Sequence, residues 1–152
     1  MFKTEIEFEN HIRHLIKTKI LNENKDLVLL ENKDVVDIII CSNKNQGHIY
    51  FIEAKFYTQT KNRLGFGTSN GKGFQPEILK LRPKYFDNYM LWVFGQENDN
   101  DFYLLDNKMV SKYFAGGKIG DKQNNFQTKL FCNDFKLKEN EFIERLKSWM
   151  TK

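Results

Sequence analysis

The strongest constraint in this chain is a pair of apolar segments, Val35 to Cys41 and His48 to Phe56, joined by the polar run Asn43-Lys44-Asn45-Gln46-Gly47. Both segments are rich in β-branched and aromatic residues, and the connector has the length and composition of a hairpin loop. With Asn45 at the middle of the loop, residues whose numbers sum to 90 face each other. Asp37 then opposes Glu53, and directly opposed residues point to the same face of a sheet. Lys55, two residues beyond Glu53, points there too. The opposite face carries Val36, Ile38, Ile40, Ile52, Ala54 and Phe56, which is a core surface. Ile39, Cys41 and Phe51 lie on the charged face between the charges and the turn. Three ionisable groups thus converge at one end of an apolar hairpin.

The rest of the chain supplies further elements. Thr4 to about Ile20 reads as an amphipathic helix, with Phe8, Ile12, Leu15 and Ile16 at helical spacing and Thr4 as N-cap. Asp26 to Leu30 is a short strand candidate. Thr58 to Phe74, with Gly65, Gly67, Gly71 and Gly73 among Thr, Ser and Asn, is a long loop. Pro76 suits the first turn of a helix running to about Arg82. Strands are predicted at Tyr89 to Gly95, Asp101 to Leu105 and Gln127 to Cys132, and helices at Asn107 to Phe114 and Glu139 to Met150. The order predicts an α/β fold, a mixed central β-sheet flanked by helices, and 152 residues suffice for one domain spanning 1–152.

Composition narrows the function classes. No apolar run approaches the roughly 20 residues of a membrane helix, so no membrane partner is expected. The start, MFKTEIEFEN, carries acids where a signal peptide needs a basic and then an apolar stretch. Cys41 and Cys132 make neither a disulfide framework nor a metal-type pair; a cytoplasmic location is the expectation. The net charge of +4 is unevenly spread. Lys55 to Lys84 holds seven basic residues against Glu77, and Lys108 to Lys129 holds five Lys against Asp121. Such local excess suits either a phosphate-binding surface or a solvated Lys-rich one.

The acid-x-Lys triplet occurs five times, but only Glu53-Ala54-Lys55 sits inside an apolar strand. One reading of the trio is structural, with Lys55 neutralising Asp37 and Glu53. Burying such a group is costly, and apolar residues often serve the fold as well. The other reading is a divalent-metal site. Asp37 and Glu53 offer hard oxygens for Mg²⁺, and the Ala54 carbonyl is a further ligand. A metal there would acidify a bound water and hold a scissile phosphate, with Lys55 stabilising developing charge or orienting that water.

At Asp37 and Glu53-Ala54-Lys55 the sequence resembles the PD-(D/E)xK nuclease superfamily, in which an acid on one strand and (D/E)-x-K on the next form the metal site. Val36 stands where the motif's name has proline. The resemblance extends from Thr4 to about Gly95 and implies a Mg²⁺-dependent DNA endonuclease, Mn²⁺ substituting, that leaves 5′-phosphate and 3′-hydroxyl ends. Many members add a Glu from the first helix. Glu9, on the Ile12/Ile16 stripe, is the first candidate and Glu5 the second, the alternative for either being an ordinary acid favoured at a helix N-terminus.

Compact type II restriction endonucleases are the most similar members, which implies a homodimer acting on double-stranded DNA at a specific sequence. By that resemblance the Thr58–Gly73 loop touches DNA. Arg63 would contact guanine, Asn62, Asn70 and Gln75 adenine, and Lys72 a phosphate, unless the loop is merely solvated. Asn107 to Asn125, with Lys112, Lys118 and Lys122, is a second candidate DNA-facing region. Gln75 also matches the helix Gln of exonuclease-like members, but Leu79 stands where their Tyr would be. His11 and His14 lack a third ligand and read as surface residues. Two other functions stay open: a structure-specific repair, resolvase or phage nuclease of the same superfamily, and a non-catalytic nucleic-acid-binding domain.

Overall fold

The computed structural model describes residues 1–30, 36–44, 47–60, 64, 84–114 and 135–151. The chain opens with helix α1 (Glu5–Leu15), where the Thr4 hydroxyl accepts from the Glu7 amide at 3.2 Å and caps the first turn. The helix then widens into a π-helical turn over Ile16–Leu21 that keeps both Ile16 and Ile20 buried. Strand β1 (Leu27–Leu30) leads to the hairpin of β2 (Ile38–Ser42) and β3 (Ile49–Tyr57). The short helix α2 (Lys84–Tyr89) runs directly into β4 (Met90–Gln96), followed by β5 (Phe102–Asp106), helix α3 (Asn107–Phe114), β6 (Lys136–Leu137) and the closing helix α4 (Glu139–Met150).

Among the described residues, six strands form one sheet in the order β1-β2-β3-β4-β5-β6. Every neighbouring pair is antiparallel except β3 and β4, which run parallel. This is the mixed sheet with flanking helices that the element order predicts. On one face, α1 and α4 cover the sheet, with Phe8, Ile12, Phe142 and Leu146 against Ile38, Ile52, Ala54 and Phe56. On the other face, residues of α2 and α3 close a second core around Ile39, Met90, Trp92, Phe94 and Tyr103. The central strand β4 is buried on both faces, as its near-continuous apolar run requires.

Gly95 sets how closely α1 approaches the sheet. A Cβ at that position would lie 2.6 Å from Cε2 of Phe8. Phe8 is fully buried and packs on Phe56 and Phe102 at ring separations of 5.4 and 5.8 Å. The missing side chain therefore lets the Phe8 turn of α1 seat on β4, and with it the following turn that carries Glu9 and Arg13.

Several expectations are corrected. Val36 does not join the α1 face; it packs in the second core with Ile39 and Trp92, because β2 begins only at Ile38 and strand alternation does not extend back to it. His11 is no plain surface residue. Its ring stacks on Phe102 at 6.0 Å, and Nε2 meets Glu139 at 3.1 Å, tying α1 to α4. The short helix α2 and strand β6 add elements that the hydropathy pattern did not predict. The predicted helix from Pro76 to about Arg82 and strand from Gln127 to Cys132 lie outside the described residues. No helix among the described residues is long and apolar enough to cross a membrane.

Candidate functional site

The hairpin register is the predicted one. Ile38 faces Ile52, Ile39 faces Phe51, Ile40 faces Tyr50 and Cys41 faces Ile49. Asp37, one residue before β2, is thereby brought to Glu53. Its backbone N–H donates to Glu53 Oε2 at 3.3 Å, and its Oδ2 accepts from the Ala54 amide at 2.7 Å. Lys55 Nζ donates to Glu53 Oε1 at 2.5 Å. Asp37, Glu53 and Lys55 thus form one connected group.

The parallel neighbour β4 explains why this group is dry. Glu53 is aligned with Trp92 and Lys55 with Phe94, and both aromatic side chains are completely buried. Glu53 is 1% exposed and Lys55 8%. Burial pushes the Glu53 carboxyl from its ordinary 4.5 up to about 7, against the pull of the Lys55 ammonium and with a further push from Asp37. Asp37 is raised as well, first by burial, opposed by Lys55 and by the Ala54 N–H bond, and pushed further by the charges of Glu9 and Glu5.

Those two acids come from α1. Glu9 is one helical turn before Arg13 and accepts from Arg13 Nε at 3.0 Å. Arg13 Nη2 in turn donates to the backbone carbonyl of Asp37. Arg13 was not among the residues picked out from sequence. Its only local signal is the i, i+4 spacing to Glu9, which is usually a surface pair; its burial comes from contact with the start of β2. In the Glu23 to Lys25 triplet, exposed Glu23 pairs with Lys147 at 2.5 Å, a surface contact.

Among the described residues, the acids Glu5, Glu9, Asp37 and Glu53 gather about the site with Arg13 and Lys55. The raised Asp37 and Glu53 values express desolvation first, with the neighbouring acids adding to it. No group of three or more His, Cys, Asp or Glu side chains among the described residues is arranged to hold a metal. The residues that could offer oxygens to a cation are the two carboxylates of Asp37 and Glu53, with the Ala54 carbonyl as the expected third. Mg²⁺ is the cation such a set would suit, since it keeps several waters and needs only one or two carboxylates beside substrate phosphates. The expected DNA-contacting residues Asn62, Arg63, Asn70, Lys72, Gln75, Lys118 and Lys122 all lie outside the described residues. The chain matches no protein-family model, no curated protein and no solved structure.

Proposed function

We propose that this chain is a Mg²⁺-dependent DNA endonuclease with a restriction-endonuclease-like core, acting as a homodimer on double-stranded DNA. The observation that carries the reading is the convergence of Asp37, Glu53 and Lys55 across the β2–β3 hairpin, where burial raises both carboxyls. A fold that needed only stability would gain as much from apolar side chains there.

Asp37 and Glu53, with the Ala54 carbonyl, would hold the cation, with Mn²⁺ as a substitute. When bound, it supplies charge stabilisation on the phosphodiester and acidifies water in its shell. Lys55 has two tasks. Its ammonium favours the ionised form of Glu53 against burial, and it offers positive charge where negative charge builds on the reacting phosphate. Water adds to phosphorus as the bond to O3′ breaks. O3′ takes up a proton, leaving 5′-phosphate and 3′-hydroxyl ends. Glu9 adds its charge to the site from α1.

A second reading is a non-catalytic nucleic-acid-binding domain. Its support is that Asp37, Glu53 and Lys55 already satisfy one another. Plasmid DNA incubated with the protein and Mg²⁺, with and without EDTA, separates the two. Metal-dependent cleavage, lost in Lys55→Ala while salt-dependent DNA binding persists, is the expected result. Discrete bands would mean sequence specificity, and smears or cutting of branched DNA a structure-specific nuclease. A folded protein that binds DNA but leaves it intact with Mg²⁺ or Mn²⁺ would sink the enzymatic reading.

A further inference from the structure

Arg13 does not fit the helix that carries it. The inner side of α1 is apolar, with Phe8, Ile12 and Leu15 buried, yet Arg13 is buried beside them at 7% exposure. Its Nε is taken by Glu9 and its Nη2 by the Asp37 carbonyl, while Nη1 is enclosed with no acceptor among the described residues. Stability gives no reason for this residue. An apolar side chain of similar volume would serve the helix at least as well, and an enclosed donor without a partner is a cost. What the guanidinium achieves is a simultaneous grip on an acid of its own helix and on the main chain of Asp37.

Asp37 is then held at three polar atoms. Its carbonyl accepts from Arg13, its N–H donates to Glu53, and its Oδ2 accepts from Ala54. A Lys could not replace the fork, because a single ammonium is a point donor on a flexible stem, whereas the planar guanidinium meets two acceptors in fixed geometry.

We propose that Arg13 is a positioning residue: anchored by Glu9, it fixes the Asp37 main chain so that the Asp37 carboxylate stays on the Ala54 amide beside Glu53. The proposal rests on the reading of Asp37 and Glu53 as a cation-binding pair, and it gives Glu9 its part through Arg13. Charge alone predicts the opposite outcome on mutation. Removing a cation next to two carboxylates makes the site more negative and should tighten Mg²⁺ binding, whereas losing the grip on Asp37 should weaken it.

The test uses the full chain with Arg13→Met, Arg13→Lys and Glu9→Gln, read by amide hydrogen exchange without metal and by calorimetric titration with Mg²⁺. In both Arg13 variants the Ala54 amide should exchange faster by about tenfold or more, while the Ile52 amide, inside the β2–β3 ladder, keeps its protection and reports an intact fold. Mg²⁺ affinity should fall by about 10- to 100-fold, the range for residues that orient metal ligands. Arg13→Lys retains the charge, so its loss reports geometry. Glu9→Gln should cost less, and should add little on top of Arg13→Met. Unchanged Ala54 protection in the folded variants overturns the proposal, and so does tighter Mg²⁺ binding. A wild-type protein that ignores Mg²⁺ while Ala54 still loosens in the variants would remove the metal reading and leave the positioning role supported.

Discussion

Glu53 should make the protein less stable as the pH rises through neutrality. Its carboxyl sits 1% exposed beside Trp92 and is displaced upward from 4.5 to about 7. The folded protein therefore holds this proton more tightly than the unfolded chain does. The sign follows: the stabilisation is complete below the unfolded value and is lost as the pH rises to the folded one. At about 1.4 kcal/mol per pH unit the whole displacement corresponds to about 3 kcal/mol. Most of it, about 2 to 3 kcal/mol, falls between about pH 5 and about pH 8. Asp37 is raised too and adds a slope of the same sign, so the comparison must be with Glu53→Gln, a permanent mimic of the protonated acid. Denaturant unfolding followed by circular dichroism, for both proteins across that range, gives the difference directly. Wild type should lose about 2 to 3 kcal/mol relative to the variant from the acidic to the alkaline end. Saturating Mg²⁺ should reduce that loss, because the cation binds the ionised form. A difference that stays flat with pH, or wild type gaining on the variant as the pH rises, would refute the desolvation argument.

Three further outcomes test the packing and the site. Gly95→Ala should destabilise by about 1 to 3 kcal/mol, since the new Cβ meets a Phe8 ring hemmed in by Phe56 and Phe102; an unchanged denaturation midpoint would show that α1 can retreat freely. Asn107→Ala should cost about 1 to 3 kcal/mol, because the fully buried Asn107 accepts from Trp92 Nε1 at 3.1 Å and donates to Asp87 at 2.9 Å. Unfolding followed by tryptophan emission measures that loss, and full stability would mean Trp92 finds another acceptor. Asp37→Asn should abolish Mg²⁺ binding in calorimetric titration while the protein stays folded, because it removes one of two ligand charges and relieves crowding with Glu53; retained binding would exclude Asp37 as a ligand.

The consequences of the site extend into the rest of the fold. Glu53 and Lys55 lie beside β4, which runs parallel to β3 and carries the buried Trp92 and Phe94 on the same face. Moving β4 by one residue would put Leu91 and Val93 there instead and turn the aromatic side chains away. The register that holds β4 also rests on Asn107, which ties the Trp92 indole to α2 through Asp87.

The hairpin and its trio were legible in the residue order. Side-chain alternation along a strand has a period of two, and a short polar loop sets its own midpoint, so Asp37 and Glu53 could be matched by counting alone. Helices α1, α3 and α4 were legible from their period, and strands β1 to β5 from short apolar runs bounded by polar turns, β4 being apolar almost throughout. Val36 was not, because alternation says nothing once the strand has ended. Arg13 was not, because an Arg four residues after a Glu looks the same on paper whether it faces water or the start of a strand. Its burial is decided by Asp37, 24 residues further along the chain. The strength of the perturbation on Glu53 also belongs to tertiary structure, since it depends on aromatic side chains contributed by β4. Periodicity is a property of neighbouring residues and survives in the one-dimensional chain. Desolvation and charge balance are properties of everything packed around a group, and they exist only once distant segments have met.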